Sequence, residues 1–199
     1  MRRRYDPSVD RWVPLPVDDV ADLIAGSPAW LSGGVALDVL LGYESRAHGD
    51  VDVSVTTEDF PDFVATLPDW LHCSAAQSGL LTPLDEVIGD EPVVNVWCRD
   101  ERSGSWCLQI NLEVGDEHVW RYRREPSVDR VWSSAVLDVQ GLRVVSPEVQ
   151  LLWKSAAPLA KDDADQTAVT PLLDDEARGW LDTAIRRAHP DSPWRGAFR

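Results

Sequence analysis

Residues 29–55 read Ala29-Trp-Leu-Ser-Gly-Gly-Val-Ala-Leu-Asp-Val-Leu-Leu-Gly42, followed by Tyr43-Glu-Ser-Arg-Ala-His-Gly-Asp-Val-Asp-Val-Ser-Val55. The apolar residues 29–32 predict a short strand, which the Gly33-Gly34 pair interrupts. Residues 35–41 have helix-forming composition, and Gly42 stands where a C-terminal cap glycine is expected. Valine alternates with polar residues over 51–55, as in a half-buried strand. The stretch therefore predicts a strand, a glycine turn, a helix, a loop and a second strand.

Two carboxylates lie on one face of that second strand. Asp50 and Asp52 are two residues apart, so their side chains are spaced about 6.5–7 Å along the strand. This spacing suits a pair of divalent ions about 3.5–4 Å apart, as used in phosphoryl and nucleotidyl transfer. The alternative is that both acids are exposed residues that protect an edge strand from aggregation.

The glycine turn offers a complementary feature. Ser32, Gly33 and Gly34 precede a helix, and a helix start with bare backbone N–H groups can bind a polyphosphate. A phosphate-binding turn followed by paired carboxylates indicates metal-dependent chemistry on a nucleotide.

This arrangement resembles the nucleotidyltransferase superfamily of DNA polymerase beta, and most closely its aminoglycoside 2''-adenylyltransferase and lincosamide nucleotidyltransferase branch. The residues that carry the resemblance are Ser32, Gly33, Gly34, Ala36, Asp38, Gly42, Arg46, His48, Asp50 and Asp52. The resemblance implies an α/β (α+β) fold with a mixed sheet flanked by helices. We expect a catalytic domain over residues 1–145 and a C-terminal helical segment over 146–199.

Further along the chain, residues 93–99 and 106–114 predict two antiparallel strands. Residues 78–90 contain glycine and proline and predict a loop. Residues 137–145 predict a small hairpin, and Ser146-Pro147-Glu148 is a typical helix start. Two more helices are predicted over 161–173 and 174–188.

The resemblance implies a third carboxylate on a strand beside the Asp50–Asp52 pair. The family motif falls at Gln109 or Asn111, which are amides. Glu113 is the acid on that predicted face, and we expect it to complete a catalytic and metal-binding set with Asp50 and Asp52. Two alternatives stay open: Asp116 or Glu117 reaches the site, or the site has two carboxylates and is impaired.

The resemblance also implies the nucleotide contacts. They are Ser32, Gly33, Gly34, Arg46, His48, Lys154 and Lys161. His48 has the alternative of anchoring the loop before the strand. The two lysines have the alternative of a solvated helix face, with Lys161 paired to Asp165 one turn on.

Composition limits the partners and the compartment. The net charge is −15, which disfavours nucleic acid as a substrate and favours cationic small molecules, although acidity also serves solubility. No apolar run is long enough for a membrane span, and the arginine-rich start lacks a following apolar segment, so a cytoplasmic protein is expected. Cys73, Cys98 and Cys107 predict reduced thiols rather than a disulfide framework.

The predicted function is Mg²⁺-dependent transfer of a nucleoside monophosphate, AMP from ATP or the equivalent from another NTP, to a hydroxyl of a small molecule such as an aminoglycoside or lincosamide. The alternative is a non-catalytic relative that binds nucleotide or a partner protein, as in toxin–antitoxin or defence modules. The acceptor, the preferred nucleotide and the oligomeric state stay open.

Overall fold

The computed structural model describes residues 1–87 and 92–198, which form eleven strands and seven α-helices. The strands are β1 Arg3–Arg4, β2 Trp30–Ser32, β3 Asp52–Thr56, β4 Leu71–Gln77, β5 Leu80–Pro83, β6 Asn95–Asp100, β7 Ser105–Gly115, β8 Val119–Arg121, β9 Asp129–Val131, β10 Val136–Val139 and β11 Leu142–Val145. The helices are α1 Val17–Ile24, α2 Gly33–Leu41, α3 Phe60–Thr66, α4 Trp132–Ala135, α5 Pro147–Lys154, α6 Ala160–Val169 and α7 Asp175–Ala188. Short 3₁₀ helices lie at Leu84–Glu86 and Thr170–Leu172.

The chain divides into two compact units. One contains Met1–Leu31 and His48–Glu113, and the other contains Ser32–Ala47 and Val114–Arg199. These units do not follow the expected boundary at residue 145, and the division into domains 1–145 and 146–199 stays a prediction.

The first unit is built on a mixed sheet in the order β1-β5-β4-β6-β7-β3-β2. Strands β3 and β7 run parallel, whereas β6 pairs antiparallel with both β4 and β7. One face of the central strands is apolar and fully buried, and its residues include Val53, Val55, Val96, Leu108 and Ile110. Helix α3 packs against β3 and buries Phe63. The opposite face of these strands carries the polar residues of the predicted site.

The second unit combines a hairpin with a group of helices. Strands β10 and β11 pair through a turn at Gln140-Gly141, where both residues have positive φ. This is the backbone that a tight two-residue hairpin requires. Helix α2 packs against α5, α6 and β11, and α5 packs against α7. Gly42 ends α2 in the left-handed conformation, as predicted, and donates its N–H to the backbone carbonyl of Asp38.

Two predictions of local structure are wrong. Residues 80–86 form β5 and a 3₁₀ turn rather than a loop, because β5 pairs with β4 despite its Pro83; residues 88–90 of that predicted loop lie outside the described residues. Cys73 and Cys98 are joined by a disulfide, because the register of β4 and β6 sets them directly opposite each other. Cys107 is free and buried, as expected.

No helix among the described residues has the length and apolar character needed to cross a membrane.

Candidate active site

The two predicted carboxylates stand at the start of β3. Asp52 is its first residue and is partly buried, and Asp50 precedes it in an exposed position. Val51 between them is buried, and its carbonyl accepts a hydrogen bond of 2.9 Å from the N–H of Gln109. The backbone between the two acids is therefore tied to β7.

The register of β3 and β7 sets Glu113 apart from this pair. Asp52 lies opposite Gln109, Ser54 opposite Asn111, and Thr56 opposite Glu113. Four residues of strand separate Asp52 from the level of Glu113, which corresponds to about 13 Å. Among the residues that the structure describes, no group of three or more His, Cys, Asp or Glu side chains could hold a metal ion. The structure therefore does not bring Glu113 together with Asp50 and Asp52, and a three-carboxylate set stays a prediction.

The reason is that alternation determines which face a strand residue occupies but not its level along the neighbouring strand. Glu113 is on the same face as Asp52, as the spacing predicts. It pairs with Thr56, which is four residues after Asp52 on β3 and therefore on the same face of that strand. Its level relative to Asp52 depends on the register of β3 and β7, which alternation does not fix against a shift of two residues.

Amide side chains occupy the positions beside Asp52. The Nδ2–H of Asn111 donates to Asp52 Oδ1 over 3.1 Å, and Gln109 Nε2–H donates to Asn111 Oδ1 over 2.8 Å. Trp97 Nε1–H in turn donates to Gln109 Oε1 over 2.8 Å. We call these four residues, Trp97, Gln109, Asn111 and Asp52, the amide relay.

The direction of every hydrogen bond in the amide relay is fixed by its ends. An indole N–H can only donate, and an ionised carboxylate can only accept. Gln109 must therefore present its oxygen to Trp97 and its NH₂ to Asn111, and Asn111 must present its NH₂ to Asp52. Sequence reasoning placed Gln109 and Asn111 at the motif position but missed this role, since it depends on the alignment of three strands.

The predicted phosphate turn lies at the start of α2. Ser32 is buried and is the N-cap residue, and Gly33 is the first helical residue with φ of 75°. The N–H of Gly33 donates to Gln150 Oε1 over 2.8 Å. Gln150, a buried residue of α5, therefore accepts a hydrogen bond from one of the N–H groups predicted to bind phosphate. In the sequence, the polar side chain of Gln150 between apolar residues was the one indication of this contact.

Arg46 and Lys154 share one buried carboxylate. Arg46 binds Asp165 through two hydrogen bonds of 2.7 and 2.9 Å, and Lys154 Nζ lies 2.9 Å from Asp165 and 2.8 Å from Asp162. The Asp165 side chain is 1% exposed. Burial alone raises the pKa of Asp165, but the hydrogen bonds from Arg46 and Lys154 outweigh it and hold that pKa below its usual value. Both predicted phosphate contacts are thus ion-paired in this structure.

The remaining predicted contacts lie in different surroundings. His48 is half-buried and precedes Asp50 by two residues. Lys161 is exposed in the first turn of α6. Its alternative pairing with Asp165 is not formed, because Arg46 and Lys154 occupy that carboxylate.

Known proteins resemble the chain in sequence over one segment and in fold over most of its length. Residues 18–76 match the family described as aminoglycoside-2''-adenylyltransferase, and this segment contains the glycine turn and both carboxylates. No curated protein sequence matches the chain.

Among solved structures, the chain is similar to the lincosamide antibiotic adenylyltransferase LnuA with lincomycin bound, at 18% identity and a TM-score of 0.53, over 86% of this chain and 100% of that one. It is similar to the antibiotic-resistance factor ANT(2'')-Ia in solution, at 16% identity and a TM-score of 0.56, over 85% and 89%. A crystal structure of ANT(2'')-Ia with adenylyl-2''-tobramycin gives 15% identity and a TM-score of 0.52, over 80% and 88%. The predicted nucleotidyltransferase fold and the resemblance to the antibiotic-modifying branch are confirmed.

Proposed function

We propose that this protein is a Mg²⁺-dependent nucleotidyltransferase that moves AMP from ATP to a hydroxyl of a small antibiotic-like molecule. The observation that carries the proposal is the family match over residues 18–76, which covers the glycine turn and the Asp50–Asp52 pair in the predicted order. LnuA was solved with lincomycin and ANT(2'')-Ia with adenylyl-2''-tobramycin, which supports an acceptor of that size and polarity.

The residues at the start of β3 fit a magnesium ion. Mg²⁺ prefers oxygen ligands, keeps several waters, and is commonly held by one or two carboxylates together with substrate phosphates. Asp50 is exposed and Asp52 is partly exposed, so a metal–nucleotide complex can reach this end of β3 from solvent. Asp50 and Asp52 would hold the ion, which when bound would offset the charge of the nucleotide phosphates.

The chain's own contribution is to orient Asp52. Asn111 donates to Asp52 Oδ1 over 3.1 Å. The amide relay therefore holds the Asp52 carboxylate in one orientation at the start of β3.

The residues of β7 that lie beside Asp52 cannot remove the proton from the acceptor hydroxyl. Gln109 and Asn111 are amides, which cannot act as a general base at neutral pH. This observation favours a second candidate function, in which the protein binds Mg²⁺–nucleotide without transferring it.

Release of pyrophosphate from Mg²⁺–ATP tests the two candidates. We expect release in the presence of tobramycin or lincomycin and none with a short RNA. Turnover with RNA alone would refute the proposal. Binding of ATP without release on any acceptor would establish the second candidate.

A further inference from the structure

Trp97 lies on the same row of the sheet as Asp52. It pairs with Gln109 on β7, and Gln109 pairs with Asp52 on β3, so the three residues follow one line across the strands. Two strand spacings separate Trp97 from Asp52, or about 10 Å. The neighbours of Trp97 along β6, Val96 and Cys98, are fully buried on the opposite face, whereas Trp97 is half-buried.

Other aromatic rings hold Trp97 in place. Tyr5 and Trp12 each contact it edge-to-face with ring centres 5.2 Å away, and Trp106 does so at 5.9 Å. A shift of register between Cys98 and Arg99 brings Trp106 opposite Arg99, on the face of Trp97. Together with the hydrogen bond to Gln109, these contacts fix both the tilt and the rotation of the indole.

Hydrogen bonds hold the N-terminal segment, residues 3–13, against β7 and so keep the rings around Trp97 in place. Buried Asp10 accepts hydrogen bonds from Arg3 at 2.6 and 2.7 Å, from the N–H of Asp6, and from Trp106 Nε1 at 3.1 Å. The N–H of Val13 donates to the carbonyl of Trp106. The segment that carries Tyr5 and Trp12 is therefore bonded to the sheet.

We propose that the exposed part of Trp97, flanked by Tyr5 and Trp12, binds the acceptor. The ligand class is a hydroxylated, positively charged small molecule of two or more rings. An indole face attracts cationic groups, and a rigid aromatic surface binds with little loss of conformational entropy. A molecule on Trp97 that extends about 10 Å along the row brings a hydroxyl to Asp52. The inference rests on the proposed function for the chemistry at Asp52.

Labelling of the wild-type protein by hydroxyl radicals tests the contact without any substitution. With saturating tobramycin, or separately lincomycin, we expect oxidation of Trp97 to fall about fivefold, because small ligands bury most of their surface in their sites. Trp70 is a half-buried tryptophan of the same unit that stacks on Arg102, and its oxidation should not change. Unchanged labelling of Trp97 with both compounds would overturn the inference.

Calorimetry on variants tests the role of the ring. Trp97→Ala should weaken binding of the protecting compound about tenfold, whereas Trp97→Phe should keep it within about threefold because a ring remains. Trp70→Ala serves as the matched control. Equal acceptor affinity in wild type and Trp97→Ala would contradict the inference. The melting temperature of each variant verifies folding. Binding of a Mg²⁺–ATP analogue to the wild type tests the proposed function separately, since its failure there refutes nucleotide transfer alone.

Discussion

Asn111 is a positioning residue in this interpretation, because it acts on ligands through Asp52. Its Nδ2–H donates to the carboxylate, and its own oxygen accepts from Gln109, so both its polar groups are engaged. Hydrogen bonds to charged groups contribute about 1.5–3 kcal/mol each. The residue therefore affects the orientation of Asp52 more strongly than its neutral side chain suggests.

Replacing Asn111 tests this role. In Asn111→Ala we expect the affinity for Mg²⁺ and an ATP analogue to fall about tenfold, which corresponds to the loss of one such hydrogen bond. Asn95, opposite Asn111 on β6, is the matched control, and Asn95→Ala should retain wild-type affinity. Calorimetry would decide, and equal affinities in the two variants would remove Asn111 from the site.

At the scale of elements, an ion-paired cluster ties the segment after α2 to α5 and α6. Asp38 accepts from the backbone N–H and the hydroxyl of Ser45, and Arg46 binds Asp165 beside Lys154. Asp38 belongs to α2, Ser45 and Arg46 follow that helix, Lys154 ends α5, and Asp165 belongs to α6. Removal of one partner from a buried ion pair leaves an uncompensated charge, which costs about 3–5 kcal/mol.

Asp165→Asn should therefore lower the free energy of unfolding by about 3 kcal/mol at pH 7. The folded pKa values of Asp162 and Asp165 are lowered, so their contribution is complete above the unfolded value and disappears as the pH falls through the folded pKa. Urea denaturation should show the difference between wild type and variant at pH 7 and its decrease below about pH 4.

Lys161→Gln is the control for that experiment. Lys161 is exposed on the same helix as Asp165, and its replacement should change stability by less than about 0.5 kcal/mol. A difference between wild type and Asp165→Asn that persists undiminished at pH 3 would show that packing rather than charge accounts for the effect.

The elements themselves were largely predictable from the sequence. The alternation of valine with polar residues predicts β3, Ser146-Pro147 predicts the start of α5, and Gly42 predicts the end of α2. Pairing was not predictable in the same way. The disulfide between Cys73 and Cys98, the level of Glu113 and the amide relay all depend on the register of strands that are distant in sequence. Local periodicity excludes a shift of one residue, which would exchange the two faces, but not a shift of two.

At the scale of the whole molecule, the net charge of −15 should act on the acceptor. A negative field raises the local concentration of cations and is screened by salt, with a Debye length of about 10 Å at 0.1 M. We expect the affinity for the polyamine tobramycin to fall about tenfold between 50 and 500 mM NaCl. The affinity for lincomycin, which carries less charge, should change much less. Equal salt dependence of the two affinities, measured by calorimetry, would show that net charge has no part in selection.

The most direct test of nucleotide binding at β3 is calorimetry with Mg²⁺ and a non-hydrolysable ATP analogue. We expect the wild type to bind only with Mg²⁺, and Asp50→Asn and Asp52→Asn to bind at least about tenfold more weakly while melting at the wild-type temperature, because each loses one anionic oxygen ligand. Asp62→Asn, which alters an exposed acid on α3, should bind as the wild type does. Wild-type affinity in Asp52→Asn would contradict the assignment of the metal–nucleotide site.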